Sequence, residues 1–340
     1  VYVVCVVCIA PGGRGGANNS WNPANNTSRG GGGGGGGSLA WKNYMKVIPG
    51  TYYFAQCGGW RMQNPGPSYI QISGQGSLHA HPGDGGDNAS WNGKCYGGSG
   101  GTYDVSGDTN APGYPTNSAG GGNGGNGGDN AHMYTDSGYG WGSSNGGGFS
   151  GGGGGGAGGY TGDGGRGGMV GVDYTGHPGQ GGGGGGGAVS GNDGTNCYDR
   201  NSLVNKALAS SSSDCAGWKA QWGSAGGGGV GENGQGASGG QCGWMAHRRS
   251  VGNGTDDSVM NSGGEGGSGG ENGHGYAKMW DKNAGWADAG HYGGGGGGAH
   301  AFENAWGWGG KGLVRIIWGS GRYFPNNAQH NDSGHTNYFK

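Results

Sequence analysis

Glycine sets the first limit on what this chain can fold into. Residues 30–37 are eight consecutive glycines, residues 181–187 seven, and residues 151–156 and 293–298 six each, with a shorter run at 226–229. Between the runs lie triplet tracts with a side chain at every third position. These are Gly121-Gly-Asn123-Gly-Gly-Asn126-Gly-Gly-Asp129, Asp163-Gly-Gly-Arg166-Gly-Gly-Met169 and Gly263-Gly-Glu265-Gly-Gly-Ser268-Gly-Gly-Glu271. A period of three belongs neither to the α-helix nor to the β-strand. It is the period of the extended left-handed polyproline-II helix, which rises about 3.1 Å per residue and makes no hydrogen bonds within itself. Buried backbone groups in such a segment must find partners on neighbouring segments, and only glycine lets neighbours approach on several faces. The expectation is therefore a bundle of short polyglycine-II rods, with the third residue of each triplet facing outward.

Composition narrows the architecture. Glycine is 103 of 340 residues, near the collagen fraction, yet only 10 prolines are present and no strict Gly-X-Y frame persists, which excludes collagen. Hydrophobic residues make up 30% of the chain, too few for a conventional core, and much of the apolar surface comes from 13 Trp and 17 Tyr. Ordering so many glycines carries a large entropy cost. Dense backbone hydrogen bonding and contacts between chains are the expected remedy, so a homo-oligomer, trimeric or helical, is expected.

The net charge of −2 comes without any basic block, which argues against nucleic-acid binding by phosphate neutralisation. No stretch approaches 18 apolar residues, so no membrane insertion by a helix is expected. Val1 to Ala10 lacks a basic leader, begins without Met and alternates like a strand. It reads as a strand near the start of a truncated or processed chain. Seven cysteines leave at least one unpaired. Cys5 and Cys8 have C-x-x-C spacing, but three residues apart on a strand they face opposite sides, which favours a structural role over zinc or redox chemistry. Cys197 and Cys215 bracket a loop that a disulfide would close.

Along the chain, Pro11 to Arg29 reads as a polar loop and Ser38 to Ile48 as a strand. The Pro49-Gly50 turn follows, then strands at Thr51 to Gln56 and Tyr69 to Ile72. Gly74 to Gly120 has loop composition, and Asn201 to Ser210 is the one helix pattern. Gly312 to Trp318 is a closing strand expected to pair with the first. The predicted fold class is mostly irregular and all-β, with bundled polyglycine-II helices joined to short strands and very little α-helix. One domain, 1–340, is expected: strands in 1–73, rods and aromatic loops in 74–310, the closing strand in 311–325 and a polar tail in 326–340.

Several blocks carry a family resemblance. The glycines of 30–37 followed by Ser38-Leu-Ala-Trp-Lys-Asn43 and Val47-Ile-Pro-Gly-Thr-Tyr52 resemble a pattern in glycine-rich virion structural proteins of tailed phages, especially marine T4-like phages. Val230 to Gly240, Tyr292 with Gly293 to Gly298, and Gly312-Leu-Val-Arg-Ile-Ile-Trp-Gly-Ser-Gly-Arg-Tyr-Phe-Pro325 follow in the same order. The segment from Gly74 to Tyr139 has no counterpart in that pattern. The chain is also similar to glycine-rich tail-fibre adhesins, whose polyglycine-II bundle presents variable loops to a host. The resemblance implies structural roles for Trp41, Lys42, Asn43, Arg315, Trp318 and Arg322.

No catalytic constellation stands out, and no cofactor is expected. His79 and His81 share a strand face at a metal-like spacing, but His81-Pro82-Gly83 is turn-like and no third ligand is indicated, so no metal is expected. Gly-x-Gly-x-x-Gly matches are uninformative at this glycine content. The aromatic residues set among Gly, Ser and Asn, among them Tyr96, Tyr103 and Tyr114, are the most function-like feature. This mixture of rigid amphipathic rings and adaptable polar groups serves recognition loops. Trp60, Tyr134, Tyr139 and Trp141 are the receptor-contact candidates. The expected function is a non-enzymatic virion protein, a tail-fibre or surface-fibre component or adhesin on the particle surface. Its expected partners are copies of itself, other virion proteins, and a host surface glycan or outer-membrane receptor. The alternative is a self-assembling extracellular glycine-rich fibril, glycosylated at sequons such as Asn18, Asn25 and Asn88, or binding ice.

Overall fold

The computed structural model describes residues 2–17, 31–59, 62, 65–74, 76–88, 95–107, 118–129, 151–168, 226–234, 245–246, 260–261, 264, 266–268, 270–273, 287–298, 306–325 and 338–339. These residues contain strands and irregular backbone and no helix. The helix pattern at Asn201 to Ser210 and the cysteines at 197, 215 and 242 lie outside them.

The valine-rich start forms β1 (Tyr2–Ile9), the segment after the first glycine run forms β2 (Leu39–Val47), and the closing segment forms β10 (Leu313–Ile317). β1 lies between the other two, antiparallel to both, with Val7 opposite Trp41 on one side and Arg315 on the other. The pairing of first and last apolar strands follows the sequence expectation. β7 (Ala119–Gly122) and β11 (Tyr338–Phe339) complete a five-stranded sheet in the order β11-β10-β1-β2-β7. A second sheet holds β3 (Phe54–Gln56), β4 (Ser68–Ile72), β5 (Gly76–Ala80) and β6 (Tyr103–Val105) in sequence order. β8 (Met245–Ala246) and β9 (Met260–Asn261) form a small separate ladder.

Alternation along β1 divides the core. Val6, Cys8 and Ala10 face the second sheet with Ala40, Met45, Ile70, Ile72, Leu78 and Val314. Cys5, Val7 and Ile9 face the other way, with Leu39, Trp41, Tyr160, Val230, Leu313 and Phe324. Cys5 and Cys8 thus sit on opposite faces, as the strand period requires, and both are free thiols. The structure corrects the loop reading of residues 74–120, which contain β5, β6 and the first half of β7. Gly-Ser-Leu-His-Ala and Ala-Gly-Gly-Gly carry almost no intrinsic strand preference. Pairing with β4 and β2 makes them strands.

Beyond the sheets the strands run directly into extended glycine segments: β1 into 10–17, 31–38 into β2, β5 into 81–88, 95–102 into β6, β7 into 123–129, and 306–312 into β10. Residues 31–38 are fully enclosed and show the plan. Their N–H groups rotate through three partners. Gly32, Gly35 and Ser38 donate to Asp87, Asp84 and His81; Gly33 and Gly36 donate to Gly128 and Gly125; Gly34 and Gly37 donate to Gly296 and Gly293. Their carbonyls rotate through three others. Gly31, Gly34 and Gly37 accept from Gly152, Gly155 and Gly158; Gly32 and Gly35 accept from Gly16 and Gly13; Gly33 and Gly36 accept from Gly98 and Gly101.

The six partners also bond to one another in a closed ring, through Gly83–Pro11, Asp84–Ser99, Gly124–Gly101, Gly125–Gly156, Gly295–Gly155 and Gly296–Gly13. Residues 292–298 centre a second ring that shares 11–17, 31–38 and 151–160 with the first, and adds 226–230, 287–290 and 306–311. Glycine is obligatory here for a steric reason. A Cβ at Gly33 would fall on the carbonyl oxygen of Gly153, and one at Gly34 on that of Gly13. The reading of Pro11 to Arg29 as a loop is corrected for residues 11–17, which belong to both rings.

Candidate functional site

The bundle has two unlike ends. At one end the glycine segments become strands. At the other, Gly16 bonds to Gly32, Gly32 to Asp87, Asp87 to Tyr96, Gly33 to Gly128, Gly152 to Gly31, Gly298 to Gly152 and Gly307 to Gly297. The connections 18–30, 89–94, 130–150 and 299–305 therefore all leave and re-enter the bundle at the end remote from the sheets. Tyr134, Tyr139 and Trp141 belong to the connection 130–150 and lie outside the described residues. Trp60 also lies outside them, and its flanks are elsewhere. Gly58 donates to Ser68 Oγ at 2.9 Å and packs on Pro11, where the sheets meet the bundle. The attachment points of the two halves of the sequence-predicted contact set are thus not brought together. Of the other aromatic candidates, Tyr96 is exposed and Tyr103 packs against the core between the sheets, while Tyr114 lies outside the described residues.

A second surface is the outer face of the four-stranded sheet. Register places Gln56, Tyr69, His79 and Asp104 in one row across the four strands, and Phe54, Gln71 and Ser77 in the next row. The rings form a diagonal ladder. Phe54 and Tyr69 lie 5.7 Å apart between centroids, Tyr69 and His79 are stacked at 4.9 Å, and His79 and His81 are 6.1 Å apart. His81 Nε2 meets Asp104 Oδ2 at 2.9 Å, and Ser77 Oγ meets Ser106 Oγ at 2.9 Å. Phe54 is 62% exposed, so the ladder opens to solvent at that end. His79 and His81 share a face as their spacing indicated. Among the described residues no group of three or more His, Cys, Asp and Glu is placed to hold a metal ion. Aromatic rings beside amide, hydroxyl and carboxylate groups suit a polar, hydroxyl-bearing ligand. Sequence reasoning missed this face because it missed β5 and β6; the alternation of Leu78 and Ala80 with His79 and His81 was the available signal.

The six motif residues are described and belong to the framework. Trp41 Nε1 donates to the Tyr160 carbonyl at 2.7 Å, tying β2 to the end of residues 151–160. Lys42 is fully buried, and its Nζ donates to the carbonyls of Ser106 at 2.6 Å and Gly107 at 3.2 Å, fixing the end of β6. Asn43 bonds Phe324 reciprocally: its Nδ2 donates to the carbonyl at 2.6 Å and its Oδ1 accepts from the N–H at 2.8 Å. Arg315 Nη1 donates to the Glu232 carbonyl at 2.5 Å and to Asn233 Oδ1 at 2.9 Å. Beside it, the Tyr160 hydroxyl donates to the Gly231 carbonyl and accepts from Gly234 N–H, both at 3.1 Å. Complete burial pushes the Tyr160 phenol well above its ordinary value. Trp318 follows β10 half-buried, and Arg322 is also half-buried, its carbonyl accepting from the Cys5 thiol at 3.3 Å.

Comparison with protein-family models, with curated proteins and with solved structures returned no match for this chain.

Proposed function

We propose that this chain is a non-enzymatic structural protein of a tailed-phage virion, a tail-fibre or surface-fibre component that contacts the host, and that its glycine segments are bundled polyglycine-II helices. The observation carrying the reading is the six-partner pattern around residues 31–38, in which both donors and acceptors repeat every third residue. That is the symmetry of a threefold extended helix packed hexagonally. Such a bundle is stiff, narrow and nearly devoid of side chains inside, which fits a support whose task is to carry connections at its end. The resemblance of the Ser38–Asn43 and Gly312–Pro325 blocks to phage virion proteins supports the same reading.

Recognition then falls to the end remote from the sheets, where the connections 18–30, 89–94, 130–150 and 299–305 are attached, with Tyr139 and Trp141 as anchors on the connection 130–150. The host surface glycan or outer-membrane receptor is the partner, and the particle surface the location. Two measurements test this. Electron microscopy of particles labelled with antibody to this chain is expected to decorate short fibres; long homopolymers of the purified protein, with particles unlabelled, would instead support an extracellular fibril. Tyr139→Ala with Trp141→Ala should weaken adsorption by about 2 kcal/mol or more while leaving assembly intact, as expected of binding hot spots. Unchanged adsorption would remove the adhesin part of the reading.

A further inference from the structure

The glycine tracts come in two kinds, uninterrupted runs and triplets, and the two kinds occupy different places. Residues 31–37 and 293–298 are pure glycine and sit at the centres of the two rings. The triplet tract 123–129 lies on the rim, with Asn126 exposed and Asn123 and Asp129 half-buried. In the neighbouring segment 95–102, Gly98 and Gly101 donate inward to Gly33 and Gly36. Gly97 and Gly100 have no deeper segment to donate to. They donate to side chains instead, Gly97 to Asp129 Oδ1 at 2.7 Å and Gly100 to Asn126 Oδ1 at 2.8 Å.

The same substitution of side chain for backbone recurs around the bundle. Asn123 N–H donates to Asp163 Oδ1 at 2.7 Å, Ala17 to Asn88 Oδ1 at 2.8 Å, and Tyr96 to Asp87 Oδ2 at 3.1 Å. Gly266 donates to Asn272 Oδ1 at 2.8 Å and Trp308 to Asp288 Oδ1 at 2.8 Å. In a threefold extended helix a donor returns to the same side every third residue, so a row of rim donors requires acceptors at the same interval. The triplet supplies them: two glycines to pack, one Asn or Asp to reach across.

We propose that these Asn and Asp side chains are caps that close the rim of the bundle against a second copy of this chain. Open rim donors would offer another glycine segment the same bonds that the interior makes, as an exposed sheet edge does for a further strand. The caps occupy those donors, and their bulk and charge at Asp129 and Asp163 hold a second rim away. The inference rests on the observed bonds and stands whether or not the chain is a virion protein.

The test uses the full chain with Asn126→Ala and Asp129→Ala together, beside an exchanged control carrying Asn126→Asp and Asp129→Asn. Amide exchange at Gly97 and Gly100 should accelerate about tenfold in the alanine variant, with Gly98 and Gly101 unchanged. Sedimentation should show concentration-dependent association of that variant and not of the exchanged control. Faster exchange without association would overturn the proposal, because open donors would then not recruit another copy. Unchanged exchange would overturn it too, because the side chains would not be occupying the donors. Should the double variant fail to fold, Asn272→Ala, read at Gly266 by the same two measurements, decides the question on another part of the rim.

Discussion

The space between the two sheets and the interior of the glycine bundle are both fully buried, and they are held together by opposite means. Between the sheets, Met45, Ile70, Ile72, Leu78 and Val314 exclude water with side chains, and the strand backbones pair with the strands beside them. Inside the bundle there is almost no side chain to bury. Residues 31–38 instead spend every N–H from Gly32 to Ser38 on three different neighbours. A side-chain core tolerates a lost methylene at a cost set by the cavity left behind. A backbone core has no slack, since the atom a Cβ would meet is a carbonyl already engaged in the lattice.

The largest expected effect is therefore a small substitution at the centre of the bundle. Gly34→Val should abolish folding, read as loss of the cooperative thermal transition, because its Cβ would displace the Gly13 carbonyl that accepts from Gly296. A parent-like transition would mean the bundle is not packed backbone to backbone. Between the sheets, Leu78→Ala should leave the fold intact and cost about 2–5 kcal/mol in denaturant unfolding. If this change proved as disruptive as the glycine substitution, the contrast between the two cores would fail.

Ties between the regions should cost less. Asn43→Ala leaves the buried N–H and carbonyl of Phe324 without their side-chain partner and should cost about 1–3 kcal/mol. Trp41→Phe, which removes the bond to the Tyr160 carbonyl and part of a ring packed in the core, should cost about 1–3 kcal/mol. The smallest effect concerns pH. Burial pushes the Cys5 thiol from 9.0 up to about 11, so the folded state keeps this proton where the unfolded chain has lost it. The contribution is fully present below pH 9.0 and is lost as pH rises towards about 11. Denaturant midpoints measured across that window should fall less steeply in Cys5→Ala than in the parent.

The two regions were also unequally legible in the sequence. The apolar strands β1, β2, β4 and β10 announced themselves by alternation and β-branched residues, and the pairing of the first with β10 followed from a strand standing at each end of the chain with glycine segments and loops between. The period of three in the triplet tracts equals the interval at which the N–H groups of residues 32–38 return to the same neighbouring segment. β5 and β7 were hard to read because Gly-Ser-Leu-His-Ala and Ala-Gly-Gly-Gly have almost no local preference for strand, and β6 because it is only three residues long; tertiary partners select the conformation. Segment 11–17 was hidden for a related reason. Pro11, Arg14 and Ala17 look like loop residues, yet at intervals of three they leave Gly12, Gly13, Gly15 and Gly16 free to pack. The aromatic face of the second sheet was lost with the strands that carry it. Which neighbour each glycine run contacts has no signature in a run of identical residues, so the ring arrangement became visible only in three dimensions.

Hydrogen exchange of the individual amides of residues 32–38 tests the central claim most directly. A bundle in which each of these N–H groups is bonded to a neighbouring segment predicts slow exchange at all seven positions, with protection matching that of β1 and no alternation along the segment. Exchange at the rate of an unstructured glycine linker, or protection at alternate residues only, would contradict it.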